Sequence, residues 1–115
     1  MISKPVFLQG IYSFDGQGAD KPTPLNADLT YTVPAGVTTQ PLYFRGGNAT
    51  DELITVLLMR DGVPMRYFPI GARGDTHVAL AVVEDLEDGT TLELQLAAPA
   101  GLTGIVVLDL GLVEV

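Results

Sequence analysis

Thr91-Leu92-Glu93-Leu94-Gln95-Leu96 decides the fold class. Leucine recurs at every second position, with Thr, Glu and Gln between. Successive side chains of an extended strand point to opposite faces, so this run reads as a half-buried β-strand with Leu92, Leu94 and Leu96 inward. Glu87-Asp88-Gly89-Thr90 before it and Pro99-Ala100-Gly101 after it are turn sequences. Residues 104–115 then continue as an apolar final strand.

The same alternation recurs upstream. Leu29, Tyr31 and Val33 alternate with Thr30 and Thr32, and Pro34-Ala35-Gly36 ends the run. Residues 41–44 predict a second short strand, stopped by Gly46-Gly47-Asn48. Residues 53–59 are apolar almost throughout, which predicts a strand covered on both faces. Asp61-Gly62 tolerates positive φ in a tight turn, so residues 63–70 should return as its hairpin partner. Pro64 and Pro69 cannot donate to a ladder and place that partner near a sheet edge. Val78, Leu80 and Val82 predict a further strand over residues 77–83. No window has helical periodicity. The expected fold is all-β: a two-sheet antiparallel sandwich of seven or eight strands, jelly-roll or immunoglobulin-like.

Residues 27–115 form the predicted sandwich domain. Residues 1–26 differ, being rich in Gly, Pro, Asp and Lys with apolar islands at Val6-Phe7-Leu8 and Ile11-Tyr12. Two readings stand side by side. The segment is an extended N-terminal arm that orders on a neighbouring protein, anchored by Val6, Phe7, Leu8, Ile11, Tyr12 and Phe14, or it is the first strand of the sandwich.

Composition narrows the function. Fourteen acidic residues against six basic ones give a formal charge of −8. Affinity for a phosphate backbone comes largely from clustered Lys and Arg displacing counterions, so nucleic acid is a poor partner, and anionic membrane is disfavoured for the same reason. Cysteine is absent and there is one histidine, which leaves no thiolate zinc site and no oriented nucleophile–base pair. His77, at the start of an apolar strand, reads as an ordinary edge histidine. Glu84, Asp85, Glu87 and Asp88 crowd a short stretch, but they do not match a calcium loop and read as a solvated turn. Asp15-Gly16-Gln17-Gly18 and Arg45-Gly46-Gly47-Asn48 lack the following helix of a phosphate loop. Asn48-Ala49-Thr50 is a formal glycosylation sequon, read as a polar loop because residues 1–10 do not resemble a secretory signal. Tyr43-Phe44 and Tyr67-Phe68 each put one ring on either face of a strand, so one of each pair belongs to the core. No cofactor is implied.

At Tyr31-Thr32-Val33-Pro34-Ala35-Gly36 the chain resembles small β-sandwich structural modules of tailed-bacteriophage virions, which often open with such a strand and turn. The likeness continues through Asp61-Gly62-Val63, a proline-flanked apolar strand, the Gly89-Thr90-Thr91-Leu92 turn and an apolar last strand. It covers residues 27–115 and rests on turn chemistry. What it implies is a non-enzymatic virion protein of the capsid-decoration, head-fibre or tail-associated type, made in a host cytoplasm. Such a protein binds others, such as the major capsid protein, as a homo-oligomer, expected to be a trimer. The alternative expectation is a carbohydrate- or calcium-binding β-sandwich module, whose signature would be an exposed Tyr or Phe beside carboxylates. A cupin-like metalloenzyme ranks last, since that fold uses several histidines.

Overall fold

The computed structural model describes residues 3–115; Met1 and Ile2, at the head of the N-terminal segment, lie outside the described residues. Among the described residues nine strands follow in chain order: β1 (Lys4–Asp15), β2 (Gly18–Pro24), β3 (Thr30–Thr32), β4 (Thr39–Asn48), β5 (Ile54–Arg60), β6 (Val63–Ile70), β7 (Asp75–Ala79), β8 (Thr91–Ala98) and β9 (Thr103–Glu114). A single 3-10 turn, Ala27–Leu29, precedes β3.

The strands form two antiparallel sheets. One has the order β1-β9-β4-β7; the other runs β2-β8-β5-β6, with β3 also paired to β8. β3 lies against Thr91, Leu92 and Glu93, and β2 against Gln95, Leu96 and Ala98. Both pieces therefore lie along β8, spread over its length, and together fill one strand position. Each sheet is four positions wide, and the chain crosses between them in the jelly-roll order. The turn sequences alone could not separate that order from the immunoglobulin-like one.

Between the sheets lies an aliphatic core. Leu92, Leu94 and Leu96 point inward as their alternation requires, facing Leu108, Leu110 and Leu112 of β9. Phe44 of β4 stacks on Phe68 of β6 at 4.2 Å and 9° between planes, which pins one sheet to the other. Each such side chain contributes about 1.5–3 kcal/mol of transfer free energy on burial. The Asp61-Gly62 turn has positive φ at both residues (49° and 81°), as the tight hairpin needs. β6, with its two prolines, is the edge strand.

One open alternative is decided and two expectations are corrected. Of the two readings of the N-terminal segment, the strand reading holds over its described residues and the arm reading does not: β1 pairs along its whole length with β9, from Lys4↔Glu114 to Asp15↔Thr103, and β2 belongs to the other sheet. Burying Leu8 and Phe14 in the core supplies what a detached arm would lack. The sandwich thus includes residues 4–24 and does not begin at residue 27. Second, Gly46-Gly47-Asn48 does not stop a strand. These residues pair with β9 on one side, and the two glycines also pair with β7 on the other. Phe44 and Ile70 occupy the space where a Cβ of Gly46 would stand. Third, β7 ends at Ala79 instead of reaching Val83, and Val82 stays 72% exposed. The loop instead returns to the sandwich at Leu86, which is fully buried and exchanges both backbone hydrogen bonds with Thr39.

Candidate functional site

The outer face of the four-stranded sheet gathers most of the exposed groups in question. Register places its outward side chains in rows across the strands. Gln9, Asp109, Arg45 and His77 form one row; Ile11, Val107, Gly47 and Asp75 form the next. Phe7, Gly111, Tyr43 and Ala79 make the row on the other side.

The polar row is tied together. Arg45 Nη2 donates to Asp109 Oδ2 at 2.9 Å, and the Tyr43 hydroxyl donates to Asp109 Oδ1 at 3.1 Å. Burial, followed by that bond to a carboxylate, raises the Tyr43 pKa above its ordinary value. The Arg45 guanidinium lies over the Tyr43 ring, 5.6 Å from its centre, and the His77 ring meets Tyr43 edge-on at 6.3 Å. Tyr43 can lie down only because Gly111 has no side chain: a Cβ there would fall 2.0 Å from the ring.

Beside this row lies an apolar band. Ile11 is 71% exposed, and Ile105 and Val107 each 49%; Phe7, 51% exposed, stands across the polar row from them. An open depression of about 870 Å³ lies over Gly46 and Gly47, bordered by Ile11, Val107, Arg45 and His77. The six residues proposed as arm anchors therefore divide by strand alternation. Phe7 and Ile11 reach solvent, Leu8 and Phe14 are core, and Val6 and Tyr12 are half-buried against it. Ile105 and Val107 were not legible as their neighbours, because β9 lies about a hundred residues further along the chain.

No protein-family model matches this sequence, and no curated protein is similar to it in sequence. Solved structures do resemble the fold. The CBM36-1 domain of a multidomain xylanase from the hindgut metagenome of Trinervitermes trinervoides superposes with a TM-score of 0.61 at 17% identity, covering 96% of each chain. A family 35 carbohydrate binding module from Clostridium thermocellum gives 0.48 at 18% identity, over 95% of this chain and 97% of that one. Infectious bursal disease virus, Gx strain, gives 0.45 at 9% identity, over 99% of this chain but 33% of the viral one. What is shared is the β-sandwich.

The remaining sequence candidates are taken up by structure. Glu84 accepts from Arg66 and lies 4.0 Å from Arg60; Asp85 accepts from Gln40 Nε2; Asp88 accepts from the Gly36 N–H. These three carboxylates thus engage different partners, and no cluster of three metal-binding groups occurs among the described residues. Asn48, the sequon residue, is buried. Its Nδ2 donates to the carbonyls of Glu52, Ile70 and Gly71, and its Oδ1 accepts from the Thr50 N–H and hydroxyl. That amide is a structural pin, closed to modification in the folded chain. No helix among the described residues is long and apolar enough to cross a membrane.

Proposed function

We propose that the protein is a non-enzymatic assembly protein, which attaches to a larger shell or tail protein of a phage particle through the outer face of its four-stranded sheet. The observation that carries this reading is the exposed band of Ile11, Ile105 and Val107 set beside an ordered polar row, with the exposed Phe7 on that row's other side. Contiguous exposed aliphatic surface rimmed by polar groups is the usual composition of a protein-binding patch. The tied Tyr43–Asp109–Arg45 group holds its donors and acceptors in place before contact, so little entropy is lost there on docking. The likeness of residues 31–36 and 61–63 to virion modules supports the phage setting. Many copies on one particle convert modest affinity into durable attachment.

Ile11→Glu and Ile105→Glu test the reading. Each puts a charge on the band without touching the core. Light scattering of the wild type should show a self-associated species, expected to be a trimer, or its incubation with purified particles should deplete it from solution. Both variants should fold as the wild type does and lose that association. Variants that still associate would refute the proposed face.

A further inference from the structure

The opposite side of the sandwich carries a different feature. Between the pairs Gly18↔Ala98 and Thr23↔Leu96 the register of β2 breaks, so residues 19–22 stand opposite Ala97 alone. One position in the ladder cannot hold four residues, and the excess leaves the sheet as an arch over its outer face. The arch reaches across β8 towards β5. On the far side of β5, Tyr67 of the edge strand pairs with Leu57, shares its outward face, and is 63% exposed. Between arch and ring lies a slot of about 330 Å³, floored by Leu57 and Ala97, walled by Pro22 and Tyr67, with Asp20 and Thr55 as its polar groups.

We propose that this slot binds one ring of a neutral saccharide, stacked on Tyr67. The site lies on the sheet opposite the assembly face and does not depend on that reading. Its volume is near the lower end of the range of about 300–1,000 Å³ typical of small-molecule sites, the size of a single ring and not of a chain. Leu57 and Ala97 keep only 3% and 4% of their surface, so the main open apolar face of the slot is the Tyr67 ring, 63% exposed. A pyranose presents both surfaces the slot needs: a C–H face for the aromatic ring, and hydroxyl donors round its edge for the Asp20 carboxylate and the Thr55 hydroxyl.

Other ligand classes fit less well. No Lys or Arg lines the slot and Asp20 does, which disfavours anions. A purely apolar molecule would desolvate the carboxylate without giving it a donor. A polyproline segment offers mainly carbonyl acceptors, and a carboxylate is an acceptor only.

The test is a titration of the full chain with methyl β-D-glucopyranoside, methyl β-D-galactopyranoside, methyl β-D-xylopyranoside and methyl α-D-mannopyranoside, followed by amide NMR shifts. Without tryptophan, tyrosine emission gives a second readout. At least one glycoside should shift the amides of Ala19, Thr55 and Ala97 in a saturable way. Tyr67→Ala should weaken that binding about tenfold, the scale of one lost aromatic contact, while Tyr67→Phe keeps it. Asp20→Asn should weaken it less, and Ile11→Glu should leave it unchanged. No saturable shift with any of the four, shifts confined to other loops, or a proline-rich peptide shifting these amides where the glycosides do not would each overturn the proposal.

Discussion

The two outer faces of the sandwich solve the same problem in opposite ways. Each presents aliphatic residues to the outside of a sheet. On the four-stranded sheet, Ile11 and Val107 are left open. On the other, Leu57, Met59 and Ala97 point away from the main core and are nevertheless buried, as a small second cluster. The difference lies in what stands around them. β2 sets four residues opposite one ladder position and the excess forms an arch, whereas β1 stays in register from end to end and covers nothing. Outward direction in a strand therefore does not mean exposure; the neighbouring strand decides.

Paired truncations test that contrast most sharply. Leu57→Ala should cost about 3 kcal/mol in urea unfolding, as for a buried leucine. Val107→Ala, an outward aliphatic of the open face, should stay within about 0.5 kcal/mol. Equal losses would mean that the arch does not shelter the second face. A smaller effect probes how far the two sheets depend on each other. Asn48 sits on β4 of the open sheet, yet its amide serves the carbonyls of Glu52, Ile70 and Gly71 around β5 and β6. Asn48→Ala should cost about 2 kcal/mol, because buried carbonyls lose their donor. Amide exchange should then speed up on both sides of that junction, in β4 as well as at the end of β6.

The smallest of the three effects has a pH signature. The Tyr31 hydroxyl of β3 donates to Glu114 of the opposite sheet at 2.5 Å and lies 2.9 Å from the Thr39 hydroxyl. Burial first, then the bond to Glu114, raises its pKa above the ordinary 10.0. The folded state thus holds the phenol proton more tightly than the unfolded chain does. The stabilisation is complete below pH 10.0 and fades as pH climbs through the raised value. Tyr31→Phe should cost about 1 kcal/mol at neutral pH, and the cost should shrink in alkali when unfolding is followed across that range.

Much of the fold was legible because local signals agreed with one another. The leucines of β8, the Asp61-Gly62 turn and the edge prolines of β6 each had one physical meaning, and long-range pairing did not contradict it. Gly46-Gly47-Asn48 shows the opposite case. Its residues carry turn chemistry, but partners on both sides of β4 and the buried Asn48 amide outweigh it. β2 had no strand pattern to read, since Asp20, Lys21 and two prolines are poor strand formers; only the free edge of β8 explains its place. The candidate surfaces were half visible. That one ring of Tyr67-Phe68 had to be exposed follows from alternation. Which ring, and that an arch from β2 would face it, depends on contacts between residues far apart in the chain.

Lys4 lies opposite Glu114 in the pairing of the first and last strands. The polypeptide therefore enters and leaves at neighbouring points, about 4.8 Å apart in the hydrogen-bonding direction. A short linker could close the chain into a ring, new termini could be opened at an exposed turn such as Asp61-Gly62, and the whole unit could be spliced into a surface loop of another protein with little distortion of its host.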